Sequence, residues 1–135
     1  LYRRVDIADA VTAHLRAAER APAIGFGRYI VSATTPFTPE DLATLRTDAP
    51  AVVSRRVPGY EAVFRARGWR MLPGIERVYD NARARAALDW QPQTDFAAAV
   101  QRLARGEDWR SPLAIAIGSK GYHRGPEALE TSPDG

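Results

Sequence analysis

The stretch RVYDNARARAALDWQP, Arg77 to Pro92, decides how this chain is read, because it runs from an extended lead-in through a cap and an Ala/Arg helix to an aromatic stop. Asp80 or Asn81 can offer a side-chain oxygen to the free amides of a helix start. Ala82 to Leu88 is strong helix-forming sequence. Trp90 followed by Pro92 ends the helix against a packed surface, since proline cannot continue an α-helix.

Upstream, Asp6 with Asp9 three residues later predicts a helix from Ile7 to Arg20. Ile7, Val11, Leu15 and Ala18 fall on one face at helical spacing, and that face is expected to be buried. Pro22 and the glycines at 25 and 27 break the pattern, after which Tyr29 to Val31 reads as a short buried strand. Thr38, Pro39 and Asp41 form a capping-box-like start for a short helix to Leu45. Thr47 to Val57 reads as a loop or a short extended piece around Ala51 to Val53. Pro58 opens a helix through Tyr60, Val63 and Phe64, closed by Gly68, and Trp69 to Val78 is irregular to extended. Thr94 with Asp95 caps a last helix through Phe96, Val100 and Leu103 to Gly106. Beyond it, Leu113, Ile115 and Ile117 are expected to dock a helix or tail back on the body, and Pro126 to Gly135 is a polar, disordered tail.

Three segments resemble one family. RVYDNARARAALDWQP is similar to a C-terminal segment of the NAD-dependent epimerase/dehydratase family, the extended short-chain dehydrogenase/reductases, through Asp80, Arg83, Ala84, Leu88, Trp90 and Pro92. VDIADAVTAHLRAAE, Val5 to Glu19, resembles a helix of the same family. RYIVSATTPFTPEDL, Arg28 to Leu42, resembles its final strand, small-residue turn and following helix, and the three occur in the family's order. The fold class implied is an α/β fragment, the helix-rich C-terminal substrate-binding part of a Rossmann-type enzyme with few short strands. Residues 1–34 would be the edge of the dinucleotide-binding domain, 35–125 the substrate-binding domain and 126–135 the tail.

The resemblance implies a parent that binds NAD or NADP and a small-molecule substrate, commonly a nucleotide sugar, and that forms a homodimer. Its chemistry would be reversible hydride transfer, with a tyrosine as acid/base and a lysine lowering its pKa. Neither the Gly-rich cofactor turn nor the Tyr-x-x-x-Lys pair is in the chain: Lys120 is its one lysine, and Ala116 lies four residues before it. The chain opens at Leu1 and holds a single methionine, Met71, so it reads as the C-terminal portion of a longer enzyme with no catalytic or cofactor-binding residue of its own. A free-standing binding or interaction module derived from that half of the fold is the competing expectation.

Substrate contacts implied by the resemblance fall on arginines. Arg70 stands ten residues before Asp80, where a family arginine clamps a diphosphate through its planar fork. Arg77 is the second candidate, and the alternative for it is an ion pair with Asp80 or Glu76 that orders the helix start. His14 reads as a boundary histidine and Trp90 as core, while Trp69 and Trp109 could stack on a ligand or pack. Lys120, Tyr122 and His123 could reach a pocket.

Composition narrows the remaining classes. The 135 residues and 45% hydrophobic content suit one compact unit with a core. A net charge of +3 is carried by 19 basic residues, all but Lys120 arginines spread along the sequence, which reads as a solvated surface and not as a nucleic-acid face. Zero cysteines exclude a disulfide framework and thiolate metal sites, and two distant histidines do not make a zinc cluster. With no apolar run of about 18 residues and no signal-peptide pattern, no membrane association is expected and the cytoplasm is the default compartment.

Overall fold

The structure, a computed structural model, describes residues 4–118. Among them lie seven α-helices and no strand. They are α1 (Ile7–Ile24), α2 (Leu42–Leu45, entered through a 3-10 turn at Pro39–Asp41), α3 (Ala49–Arg56), α4 (Tyr60–Ala66), α5 (Ala82–Leu88), α6 (Phe96–Ala104) and α7 (Pro112–Ile117). None is long and apolar enough to cross a membrane.

Caps set most helix starts. Asp6, Asp48, Asp95 and Ser111 each accept a backbone amide of the first turn of α1, α3, α6 and α7 with a side-chain oxygen. The expected capping box at Thr38 and Asp41 is present. α1 passes through Pro22 and continues to Ile24, four residues beyond the expected end, because a proline in the last turn removes only one amide from the ladder.

Two buried clusters form. The larger gathers Leu45, Val52, Val53, Tyr60, Val63, Ile75 and Val100 from α2, α3, α4, α6 and the loop before α5. Burial of each aliphatic side chain there contributes about 1.5 to 3 kcal/mol. The loop is pinned by Ile75 N–H to the Leu45 carbonyl at 2.7 Å and Ala49 N–H to the Pro73 carbonyl at 3.0 Å. Phe64 sits edge-on to Tyr60, Trp69 and Phe96 beside this cluster. The smaller cluster joins Ala13 of α1 to Ala84, Leu88 and Trp90 of α5 and its exit, with Ile24, Tyr29 and Val31 packed against it.

Four expectations are corrected. Residues 49–56 are helix α3, not loop or extended chain: Asp48 caps it, Pro50 occupies its first turn, and burial of Val52 and Val53 overrides their β preference. Tyr29 to Val31 forms no strand among the described residues, and Ile30 is half exposed. The face of α1 carrying Ile7, Val11 and Leu15 is exposed (41%, 42% and 59%), because the helix turns Asp6, Asp9 and Ala13 inward instead. α7 docks against α1, yet Leu113, Ile115 and Ile117 stay exposed, and Ser111 makes the buried contact. The C-terminal tail expected from Pro126 lies outside the described residues.

Candidate substrate-binding site

The Val5 and Arg77 segments meet each other. Asp9 of α1 is buried and accepts two backbone amides just past the Trp90 stop, Gln93 N–H at 2.8 Å on Oδ1 and Thr94 N–H at 2.9 Å on Oδ2. The buried Trp90 indole donates Nε1–H to Thr12 Oγ1 of the same helix at 3.0 Å. Asp6 takes both the amide (3.0 Å) and the hydroxyl of Ser111. Burial pushes its carboxyl up, but these hydrogen bonds outweigh that and hold it below the usual carboxylate range.

The Arg28 segment is tied in by Asn81. This side chain is 2% exposed and donates Nδ2–H to the Ser32 carbonyl at 2.7 Å and to Thr34 Oγ1 at 3.3 Å. Its Oδ1 accepts Arg85 Nε–H at 3.0 Å. Arg83 lies over the Tyr29 ring, 5.5 Å from its centroid. Asp80, not Asn81, caps α5 by accepting Ala82 N–H at 2.8 Å. The helix stops one residue before Trp90, where Asp89 turns left-handed (φ 50°) and Trp90 N–H bonds the Arg85 carbonyl.

Two cavities open on this framework. A cleft of about 280 Å³ lies between the 34–42 segment and the α5 start, lined by Thr34, Thr35, Thr38, Asp80, Asn81 and Arg85 and, over more of its surface, by apolar groups that include Phe37, Pro39, Leu42 and Val78. A larger cavity of about 820 Å³ is mostly apolar and lies where α4, α6, α7 and the α1 start converge. Its walls include Phe64, Phe96 and the half-exposed Trp69 and Trp109.

Arg70 and Arg77 are both exposed, and neither lines either cavity. Arg77 makes no ion pair with Asp80 or Glu76 among the described residues. The capping oxygen of Asp80 faces the Ala82 amide instead. His14 is exposed on α1 with Nδ1 2.7 Å from the Ala10 carbonyl oxygen. Lys120, Tyr122 and His123 lie outside the described residues.

Sequence reasoning missed the strongest ion-pair cluster. Asp41 is buried and accepts Arg55 Nη2–H and Arg56 Nε–H, each at 2.7 Å, plus Thr38 N–H at 3.0 Å. Arg56, and then the Thr38 amide and Arg55, hold its carboxyl well below the usual range against the upward push of burial. The adjacent arginines were a signal, but reading 47–57 as loop removed the helix that aims them at Asp41. The sequence marks Asn81 as a candidate helix cap and Arg85 as part of the Ala82 to Leu88 helix, with no cleft role for either. Among the described residues no group of three or more His, Asp or Glu side chains is placed to hold a metal ion.

No family model, curated protein or solved structure matches this chain.

Proposed function

We propose that this chain is the substrate-binding C-terminal part of an NAD(P)-dependent enzyme of the extended short-chain dehydrogenase/reductase type, acting on a small molecule such as a nucleotide sugar. The observation that carries the reading is the interlock of its three resembling segments. Asp9 holds the backbone after Trp90, Trp90 bonds Thr12, and Asn81 ties α5 to Ser32 and Thr34.

The apolar surface of α1 and the exposed Ile30 support the same reading. Ile7, Val11 and Leu15 on α1, and Ile30, are each exposed, as a helix and an edge segment would be without the parallel sheet they complete. On this proposal residues 1–34 belong to the edge of the cofactor domain and 35–125 shape substrate specificity. The parent is a cytoplasmic homodimer. No turn of closely spaced glycines leads from a strand into a helix among the described residues, so the chain does not itself fit the cofactor's pyrophosphate, and no catalytic step is assigned to it.

Arg70 is the proposed contact to the anionic part of the parent's substrate. Each charge-assisted bond of its fork is worth about 1.5 to 3 kcal/mol, so Arg70→Ala in the intact parent raises the apparent substrate constant about ten-fold or more. Cofactor binding and fold stay unchanged; unaltered substrate affinity at low salt would remove the assignment. Arg77 is the second candidate contact, tested by the same titration. The family reading itself is tested by the reading frame preceding Leu1, which should encode a Gly-rich strand-turn-helix and a Tyr-x-x-x-Lys pair. A frame without either removes it.

One observation favours a second reading, a free-standing binding module. The larger core is self-contained, and among the described residues no buried side-chain nitrogen or oxygen lacks a partner. Such a module melts cooperatively and does not bind a hydrophobic dye, whereas a detached enzyme half binds dye along α1.

A further inference from the structure

The hydrogen-bonding capacity left over in the smaller cleft is specific. Asn81 has its amide committed to Ser32, Thr34 and Arg85, which fixes the Arg85 guanidinium through Nε. The two terminal amino groups of Arg85 have no partner among the described residues. Thr34 Oγ1 and Thr35 Oγ1 are used as acceptors, from Asn81 and from Phe37 N–H respectively, so each hydroxyl keeps its own hydrogen to donate. Asp80 uses Oδ1 to cap α5 and keeps Oδ2. Thr38 is excluded, since its hydroxyl already serves Arg56 and Asp41.

The cleft therefore offers one guanidinium end, two hydroxyl donors and a single carboxylate oxygen. Donors outnumber acceptors, which suits a ligand rich in oxygen with one anionic group for Arg85 and hydroxyls for Asp80. The cleft's space of about 280 Å³ is room for one sugar ring. We infer that this cleft binds a monosaccharide-sized anionic polyol, a sugar acid or sugar phosphate, with Arg85 on the anion and Thr34, Thr35 and Asp80 on oxygens of the ring. The inference rests on the proposed function for placing such a ligand in a reaction, and on the cleft alone for its chemistry.

The test is a nitrogen-proton NMR titration of the 135-residue chain with glucuronate, glucose 1-phosphate, glucose and inorganic phosphate. Glucuronate or glucose 1-phosphate should saturably shift the amides of Thr35, Phe37 and Ala82 and the Arg85 Nε–H signal, and which of the two binds tighter identifies the anion. Glucose and phosphate, each lacking half of the recognised chemistry, should bind about ten-fold weaker or less well, a difference of about 1.4 kcal/mol. Arg85→Met should reduce the anionic sugars to the level of glucose, and Thr35→Val should weaken them severalfold with signal dispersion intact. The proposal is overturned if neither anionic sugar shifts these signals, if inorganic phosphate alone binds as well, or if Thr35→Val and a folded Arg85→Met bind like the wild type. No cofactor enters this titration, so its failure leaves the family reading standing, and failure of that reading leaves its result unchanged.

Discussion

Replacing Asp9 with alanine should cost more than its place in the sequence suggests. As a residue of the first turn of α1 it would ordinarily contribute only a favourable dipole interaction, about 0.3 to 1 kcal/mol. In the structure its two oxygens hold Gln93 N–H at 2.8 Å and Thr94 N–H at 2.9 Å, and the residue is 3% exposed. Hydrogen bonds to a charged group are worth about 1.5 to 3 kcal/mol each, and the two amides sit at a partly buried turn that water can reach in part. The expected loss is therefore about 3 kcal/mol, or about 10 °C in Tm for a chain of this size. Urea unfolding followed by far-UV circular dichroism measures it, with Asp48→Ala as comparator. Asp48 caps α3 through a single exposed bond at 3.1 Å and should cost about 1 kcal/mol. Asp9→Asn should also be costly, because one of its two amide-facing positions becomes an NH₂ group. If Asp9→Ala costs no more than Asp48→Ala, the bonds joining α1 to the Trp90 segment do not hold the fold together, and the interlock loses its weight.

Two further outcomes follow from the packing. Asp41 has its carboxyl lowered from an ordinary 3.8, so its contribution is complete above that value and is lost as pH falls through the lower folded value. Stability should drop on acidification below about pH 4, and Asp41→Asn should cost about 2 to 3 kcal/mol at neutral pH and flatten that acid limb in pH-dependent urea midpoints. Gly74→Ala should destabilise by more than about 2 kcal/mol in the same assay, since its Cβ would stand 2.4 Å from the Arg46 carbonyl oxygen beside the Ile75 to Leu45 bond.

Much of the local structure was legible because caps are local chemistry. Asp6, the Thr38 and Asp41 pair, Asp95 and the Ala82 to Leu88 run each announce a helix within a few residues, and each forms one. What failed depends on partners distant in sequence. Val52 and Val53 favour strand locally, and only the core around Leu45 and Val63 makes them helix. The apolar spacing of Ile7, Val11 and Leu15 is real, yet the inward face of α1 is chosen by amides at Gln93, Thr94 and Ser111. At the site the same limit applied. Arg70 and Arg77 were visible as arginines near a motif, whereas the cleft at Arg85 exists only because Asn81 reaches back to Ser32 and Thr34.

The central claim, that this chain is the substrate-binding half of a nicotinamide-dependent enzyme, is tested most directly by NADH and NADPH fluorescence titration of two proteins. One is the product of the complete reading frame; the other is the 135-residue chain alone. The complete product should bind one of the two cofactors saturably, and the isolated chain should show no saturable binding of either. A complete product that binds neither cofactor, or an isolated chain that binds one as tightly as the whole, would contradict the account.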